Sequence, residues 1–233
     1  MVQTQCLEEN LYAFFDGHVR QFLLVGPDRA LLLDTGYDRS HLGEAVRAVT
    51  DKPVQVLLTH GDPDHAGGLV DFDEAWLQER DWPLVKAPVK LHPLHQGDAF
   101  VCGDYRLEVV EIPGHTYGSV AFLDRGKGLL FPGDSVQKDG PIYLFGNHRN
   151  VGLYIQSQRS LLALAGEVHT VYPCHHDCPI DPVYIGRNLE DALALQAGTL
   201  PSEPTPGMPC RTYRGKWTAF YCTEADRCRT AGN

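Results

Sequence analysis

The sequence predicts an α+β fold in which buried strands end in polar loops. Short apolar, β-branched runs such as residues 54–58 are bounded by Gly, Pro and Asp, which is the pattern of buried strands. Between them lie segments in which apolar residues recur every three or four positions, as on one face of a helix. With 233 residues, the chain can bury a core in one domain or in two closely packed halves.

The first half of the chain alternates predicted strands and turns. Its predicted strands are residues 19–25, 30–34, 54–58 and 106–112. The first two form a hairpin around Gly26. Apolar residues at helical spacing from Leu42 to Val49 predict an amphipathic helix, with Asp38 or Ser40 as its N-cap. Residues 71–97 are less regular and predict an excursion with a short helix, a candidate cover for a site.

The second half continues with short strands and two helices. Its predicted strands are residues 120–123, 129–131, 170–172 and a final strand or hairpin within 211–222. Helices are predicted over residues 154–165 and from Asp181 onward, where Asp caps, Pro182 takes the first helical position and Gly198 suits the exit. The proline-rich residues 201–209 predict a stiff linker, and the polar C-terminal tail is expected to fray.

Composition narrows the classes of partner. The formal net charge of −10 argues against nucleic acid, because backbone binding needs clustered Lys and Arg. No run approaches the roughly 18 apolar residues of a membrane helix, and the first ten residues lack the regions of a signal peptide. We therefore expect a cytoplasmic protein with a small-molecule substrate, no membrane partner and seven cysteines present as thiols. Nothing in the sequence indicates an oligomeric state.

Metal-competent side chains follow four of the predicted strands. The first strand end carries four of them, and later ends carry one each: His60, Asp62, Asp64, His65, His115, Asp134 and His175. In α/β folds, ligands collect at the carboxyl ends of strands. His and Asp together suit zinc, iron or manganese, and a metal with spare coordination positions can activate water. The pattern therefore predicts a metal-dependent hydrolase.

In its motifs the chain resembles the metallo-β-lactamase superfamily. That family carries His-x-His-x-Asp-His, matched here by residues 60–65, then Pro-Gly-His-Thr at 113–116, Gly-Asp-Ser at 133–135 and a last His at 175. Its buried aspartate turn is matched by Leu-Asp-Thr-Gly at 33–36, so Asp34 is expected to hydrogen-bond the metal loop. The resemblance implies an αββα sandwich, two mixed β-sheets with helices on the outer faces. It also implies a single domain over 1–233, with halves of roughly 1–115 and 116–233.

The resemblance further implies two divalent metal ions and a hydrolytic mechanism. His60, Asp62 and His115 would hold the first metal; Asp64, His65 and His175 the second; Asp134 would bridge them. A hydroxide between the metals would attack a small-molecule ester, thioester, lactone, lactam or phosphodiester. Asp64 would orient that hydroxide and is the predicted catalytic residue.

Asp62 departs from the family pattern, which has His at this position. A carboxylate oxygen reaches about as far from the chain as the nearer imidazole nitrogen, so the exchange is sterically reasonable. It adds an oxygen donor and a negative charge, which favours harder metals. Zinc is expected, with manganese or iron as alternatives. Asp62 could instead only cap a helix or position a ligand, and His176 could take the role of His175. A sulfur ligand from Cys174 or Cys178 is a further alternative, although their spacing matches no closed zinc motif.

The substrate class is less constrained. Tyr143, His148 and Arg149 are candidate substrate contacts, Arg149 by bidentate pairing with a carboxylate or phosphate. The alternative is an ordinary surface loop in which Asn150 caps the next helix. Lactonases of this fold carry Tyr where this chain has Gln137, and the region after His175 is shorter than the helical substrate domain of glyoxalase II enzymes. Two further functions stay open, an iron-dependent redox enzyme of the same fold and a non-catalytic metal-binding module.

Overall fold

The computed structural model describes residues 2–37 and 41–232, which form two compact units. The first unit comprises residues up to 110 together with 120–127, and the second comprises 111–119 together with the chain from 128 onward. Each unit contains its own hydrophobic core. The prediction of a single domain with halves near 1–115 and 116–233 stays a prediction.

A mixed seven-stranded sheet dominates the first unit. Its strands lie side by side in chain order: β1 (Gln3–Glu8), β2 (Leu11–Phe15), β3 (Arg20–Val25), β4 (Ala30–Leu33), β5 (Val54–Leu57), β6 (Glu74–Leu77) and β7 (Lys90–Pro93). Neighbours from β1 to β4 pair antiparallel, and neighbours from β4 to β7 pair parallel. Three further strands of this unit are β8 (Ala99–Cys102), β9 (Tyr105–Glu111) and β10 (Val120–Asp124).

The parallel half of this sheet positions the candidate site. Helix α1 (Leu42–Val49) connects β4 to β5, and the short helix α2 (Pro63–Ala66) follows β5. Since the carboxyl ends of parallel strands meet at one edge, the residues after β4, β5 and β6 converge there. Asp34 follows β4, His60 lies three residues after β5, and a 3-10 helix (Glu79–Leu84) follows β6.

Burial on both faces explains the apolar runs of this sheet. All four residues of β4 are at most 1% exposed, as expected of a central strand covered on two sides. On one face, Leu42 and Val46 of α1 pack with Leu32 and Val56 in a continuous core cluster. The helical spacing of its apolar residues therefore predicted the buried face of α1 correctly.

The second unit combines α-helices with small sheets. Its strands are β11 (Leu129–Phe131), β12 (Pro141–Tyr143), β13 (Thr170–Val171), β14 (Ser202–Pro204), β15 (Arg211–Arg214) and β16 (Ala219–Cys222). Strand β11 pairs parallel with β13, while β12, β16, β15 and β14 form a sheet in that order. Its helices are α3 (Val151–Leu164), α4 (Val183–Ala197) and α5 (Glu224–Arg227). Apolar residues of α3 and α4 pack with Tyr213, Phe220 and Cys222 of the sheet.

Most predicted elements of regular structure are confirmed. The structure contains both predicted hairpins, of β3 with β4 and of β15 with β16, and helix α1. It also contains the predicted strands β5, β9, β10, β11 and β13. Helix α4 ends at Gly198 in a left-handed conformation, as predicted. Pro182 is its N-cap, and the Asp181 carboxylate accepts from the Val183 N–H at 2.7 Å. The proposed caps of α1, Asp38 and Ser40, lie outside the described residues.

Four sequence-based expectations were wrong or incomplete. Residues 71–97 contain the expected short helix, a 3-10 helix at Glu79–Leu84, but they are not an irregular excursion, since they supply β6 and β7 to the main sheet. Strands β1, β2, β8 and β12 were not predicted; β1 is almost wholly exposed and its sequence carries no apolar alternation. The proline-rich segment contains the edge strand β14, where Pro204 is tolerated at the strand end. The metal-ligand loop continues directly into α2, with Pro63 at its first position.

The C-terminal tail is docked, which corrects the expectation that it frays. Arg229 donates from Nη1 to the carbonyls of Gly146 and Arg149 at 2.9 and 3.0 Å. Asn150 donates from Nδ2 to the Thr230 carbonyl at 3.1 Å. A Cβ at Gly152 would lie 2.4 Å from the Ala231 nitrogen, so the tail packs directly on the first turn of α3.

Two expectations about composition can be compared with the described residues. The seven cysteines are thiols, and the structure contains no disulfide among residues 2–37 and 41–232. Among the same residues, no helix has the length and apolar character needed to cross a bilayer.

Candidate metal centre

Asp34 organises the metal-ligand loop of the first unit. It is fully buried after β4 and adopts a left-handed backbone conformation with φ of 63°. Its Oδ1 accepts from the Thr59 backbone N–H at 2.7 Å. Its Oδ2 accepts from the Thr59 hydroxyl at 2.8 Å and from His65 Nδ1 at 2.9 Å. The anchoring role predicted for Asp34 is confirmed.

These hydrogen bonds fix which nitrogen each imidazole presents to a metal. The Asp34 carboxylate can only accept, so His65 donates from Nδ1 and keeps a lone pair on Nε2. The Thr59 hydroxyl uses its one hydrogen to donate to Asp34. Its oxygen therefore accepts the hydrogen bond from His60 Nδ1, at 3.0 Å. His60 therefore also presents Nε2. Metal-binding histidines are commonly oriented in this way by a carboxylate or another acceptor behind the ring.

The two carboxylates of the loop lie next to these nitrogens. Asp62 Oδ2 is 3.6 Å from His60 Nε2, and Asp64 Oδ2 is 3.7 Å from His65 Nε2. Asp62 occupies the N-cap position of α2, but its side chain makes no capping hydrogen bond. The alternative that Asp62 only caps a helix is therefore wrong.

A close approach of backbones sets the shape of this loop. A Cβ at Gly68 would lie 2.1 Å from the Thr35 carbonyl oxygen, so only glycine fits there. The Thr35 N–H and hydroxyl both donate to the His65 carbonyl, at 2.7 and 2.8 Å. The turn after β4 and helix α2 are thereby held together.

Asp81 is a positioning residue that the sequence interpretation missed. It is fully buried in the 3-10 helix after β6, and its Oδ2 accepts from the Gly61 N–H at 2.9 Å. Gly61 lies between His60 and Asp62, so this bond fixes the backbone between two candidate ligands. An acidic residue shortly after a third parallel strand would have indicated it, had β6 been predicted.

In the second unit, His115 is oriented by the same principle. Its Nδ1 is 3.0 Å from the Tyr143 carbonyl oxygen, which can only accept, so Nε2 carries the lone pair. Gly114 precedes it with φ of +145°, and a Cβ there would lie 2.3 Å from the Tyr154 backbone. The glycine of the Pro-Gly-His motif is thus required because the backbone of α3 passes directly against it.

Asp134 lies between two imidazoles of this unit. Its Oδ2 is 3.6 Å from His115 Nε2 and 3.3 Å from His175 Nε2. The His176 ring instead packs on Gly140, where a Cβ would come within 1.7 Å of its Cδ2. The structure therefore brings His175 beside Asp134, and the His176 ring lies against Gly140.

Buried polar groups of α3 and α4 hold the loop that carries Asp134. Tyr154 Oη and Gln158 Nε2 donate to the Ser135 carbonyl at 2.8 and 2.6 Å. Burial raises the pKa of Tyr154 well above its usual value, so the phenol stays protonated as this donor. Gln137 donates from its side chain to the Asp134 carbonyl, and its backbone exchanges two hydrogen bonds with the Asn188 side chain.

The candidate substrate residues differ in environment. Tyr143 is 37% exposed and lies edge-on against Tyr221. His148 is half-buried. Arg149 is buried and donates from Nη1 to the His115 carbonyl at 2.6 Å, with the same atom 3.1 Å from His115 Nε2. The alternative of an ordinary surface loop is therefore wrong at Arg149, while Asn150 caps α3 by accepting from the Leu153 N–H at 2.9 Å.

The donor chemistry of these residues fits divalent metal ions. Bonds of about 2.0–2.1 Å to zinc would place neighbouring donors of a tetrahedron about 3.3 Å apart. The four donor pairs within the units are 3.3 to 3.7 Å apart. The first unit offers His60, Asp62, Asp64 and His65, and the second offers His115, Asp134 and His175. The chain therefore carries candidate metal-binding clusters of imidazoles and carboxylates.

Comparison with known proteins gives one consistent family. A family model described as the metallo-beta-lactamase superfamily matches residues 15–79 and 77–175. An acyl-coenzyme A thioesterase MBLAC2 of Gallus gallus is 30% identical over 66% of this chain and 71% of its own length. A hydroxyacylglutathione hydrolase of Xanthomonas axonopodis pv. citri (strain 306) is 29% identical over 83% of this chain and 78% of its own.

Solved structures agree with this match at the level of the fold. A metallo-beta-lactamase from Pontibacter korlensis has a TM-score of 0.70 at 18% identity, covering 83% of this chain and 99% of its own. A metallo-beta-lactamase family protein from Thermus thermophilus has a TM-score of 0.67 at 23% identity, covering 84% of this chain and 83% of its own. The predicted α+β class and fold are confirmed.

Proposed function

Since the chain belongs to the metallo-beta-lactamase superfamily, we propose that it is a metal-dependent hydrolase whose substrate is a small thioester. One observation carries the metal dependence, which is the shared orientation of three imidazoles. His60, His65 and His115 each donate from Nδ1 to a fixed acceptor, which leaves the lone pair on Nε2, and at His115 the Arg149 Nη1 lies 3.1 Å from that nitrogen. Such preorganisation is characteristic of metal ligands. The thioester is supported by the names of two relatives, an acyl-coenzyme A thioesterase and a hydroxyacylglutathione hydrolase.

The proposed ligand sets are those that the family pattern implies. One set is His60, Asp62 and His115, the other is Asp64, His65 and His175, and Asp134 belongs to both. Two bound cations would supply Lewis acidity, lowering the pKa of water and neutralising charge that develops on the substrate oxygen. Zinc is the proposed metal, and the carboxylate of Asp62 leaves manganese and iron as alternatives.

The chain's own groups then have distinct roles. Asp64 orients the attacking water and accepts its proton at a carboxylate oxygen. Asp34 and Thr59 hold the His60 and His65 rings so that their Nε2 lone pairs do not turn away. Tyr143 and His148 are proposed to contact substrate, while Arg149 contributes a buried positive charge next to His115.

Metal content and a substrate panel test this proposal together. Protein purified without chelator should contain about two metals per chain, and chelation should abolish thioester hydrolysis that added metal restores. The panel pairs acyl-coenzyme A and acylglutathione thioesters with a lactone, a chromogenic lactam and a phosphodiester. Oxygen consumption by iron-loaded protein would support a redox enzyme instead. Full metal loading without turnover of any substrate would support a metal-binding module.

The Asp62→His variant tests the departure from the family pattern. Replacing an oxygen donor and its charge by an imidazole should raise the preference for zinc over manganese. Competition between equal concentrations of the two metals, followed by elemental analysis, measures this directly. Asp62→Asn is the control, since it keeps an oxygen donor without the charge. Unchanged metal content and activity in Asp62→His would show that Asp62 is not a ligand.

A further inference from the structure

An apolar cavity of about 350 Å³ adjoins the metal-ligand loop within the first unit. Cavities that bind small molecules begin at about 300 Å³ and are mostly apolar. The walls that matter here are Pro63, Ala66, Val70, Leu84, Val85 and Ala87. One lining residue, Gly61, also belongs to the ligand loop described above, where its N–H donates to Asp81.

The cavity shares its wall with the ligands. Gly61 and Pro63 both line the cavity. Gly61 lies between His60 and Asp62 in the sequence, and Pro63 lies between Asp62 and Asp64. Residues 63, 66 and 67 stand at i, i+3 and i+4, so they form one face of α2 and the turn after it. The lining residues Gly61 and Pro63 thus alternate in sequence with the candidate ligands His60, Asp62 and Asp64, so the cavity borders the backbone of the loop that carries them.

The chemistry of the walls selects an apolar occupant. Val70 is 59% exposed and contributes apolar surface to one wall of the cavity. On the opposite wall, Leu84 and Val85 are half-buried and follow the 3-10 helix that ends at Leu84. Among the described residues that line the cavity, Lys86 alone has a charged side chain, and it is exposed. An unbranched hydrocarbon chain matches this lining better than a polar group does.

We propose that this cavity binds the acyl chain of the thioester and makes the enzyme selective for medium-length acyl groups. This inference rests on the proposed function, because the acyl carbonyl must lie at the ligand loop for its chain to enter here. The hydrolytic product would be the corresponding carboxylate, which offers a probe whose binding can be measured without turnover.

Calorimetric titration with product carboxylates from butyrate to octanoate tests the cavity. Burial of each methylene contributes about 0.8 kcal/mol, so the Kd of metal-loaded protein should fall about fourfold per added methylene. Ala87→Trp fills the cavity and should abolish this dependence on chain length. Val70→Ser removes apolar wall at an exposed position and should weaken octanoate binding more than butyrate binding. Val101→Ser is the matched control, since Val101 is 53% exposed on β8 and lies away from the lining.

Hydrolysis of the same acyl series separates this inference from the proposed function. In the wild type, kcat/KM for thioesters should rise with chain length in parallel with carboxylate binding. Ala87→Trp should remove this rise, while Val101→Ser, outside the lining, should keep both the rise and the rate of acetyl thioester hydrolysis. Hydrolysis whose chain-length dependence is the same in Ala87→Trp and Val70→Ser as in the wild type would overturn the acyl site and leave the hydrolase. Carboxylate binding that both variants weaken, without hydrolysis of any thioester, would support the cavity and overturn the proposed function.

Discussion

At the scale of single residues, Thr59 explains how one buried aspartate controls two histidines. Its hydroxyl donates to Asp34 and accepts from His60, so it extends the orienting effect of the carboxylate to a second ring. The motif residues His60 and His65 were identified from the sequence, but this role of Thr59 was not. A hydroxyl contact depends on the direction of a side chain, and sequence spacing does not contain that information.

Thr59→Val should lower metal affinity by about 10- to 100-fold, the usual cost of losing an outer hydrogen bond to a ligand. Valine keeps the shape of threonine but can neither donate to Asp34 nor accept from His60 Nδ1. Thr59→Ser keeps the hydroxyl and should bind metal within a few-fold of the wild type. Titration against a competing chromogenic chelator measures both variants. Equal affinity in Thr59→Val and wild type would remove the orienting role from this side chain.

At the scale of elements, the loop before α3 ties a candidate ligand to the C-terminal tail. Asn150 caps α3 through its Oδ1, donates to Thr230 through Nδ2, and donates from its backbone N–H to the Gly114 carbonyl beside His115. The cap itself was predicted from the sequence as part of a surface loop. The docking of the tail was not, because a polar terminal segment is held here by backbone carbonyls that no residue pattern reveals.

Asn150→Ala should reduce the free energy of unfolding by about 1 kcal/mol for the lost cap, within a range of roughly 0.5–2. Its lost bond to the tail should add to that cost. Asn150→Asp retains the accepting oxygen at the helix N-terminus and loses only the donor to Thr230, so it should recover most of the stability. Urea unfolding of the wild type, Asn150→Ala and Asn150→Asp at one pH measures the three free energies of unfolding. If Asn150→Asp were as unstable as Asn150→Ala, the tail contact and not the cap would dominate.

The same scale shows why the sheet was only partly predicted. Strand β4 is apolar on both faces, and β3 and β5 are largely apolar, so their runs are recognisable from composition alone. Strand β6 is short and mixed, with an exposed Glu74 and a Trp76 that stacks on His92 at 4.4 Å. Its strand character depends on parallel pairing with β5 and β7, residues distant in the chain. Because β6 was not predicted, Asp81 after it was not identified as a residue of the candidate site either.

At the scale of the whole molecule, the free energy of unfolding should fall at alkaline pH because one thiol is buried in the folded state. Cys222 is fully buried in the core of the second unit and donates to the Leu144 carbonyl at 3.3 Å. Burial raises the pKa of Cys222 from 9.0 to about 12. The folded state therefore keeps a proton that the unfolded state releases above pH 9, and folding becomes less favourable as pH rises from there. Each bound proton changes the free energy of unfolding by about 1.4 kcal/mol per pH unit.

Cys222→Ser isolates this contribution, because a serine hydroxyl can donate to Leu144 yet does not ionise in this range. Below about pH 9 the variant should be less stable than the wild type by an amount that does not depend on pH. Between about pH 9 and 11 that difference should shrink by about 1.4 kcal/mol per pH unit, since only the wild type loses stability through this thiol. Burial also raises the pKa values of Tyr105 and Tyr213 to about 12, but both tyrosines are present in the two proteins and cancel in the comparison. Cys6→Ser, at an exposed cysteine on β1, should follow the wild-type curve. A difference between Cys222→Ser and wild type that stays constant up to about pH 11 would show that the thiol ionises as readily in the folded core as in the unfolded chain.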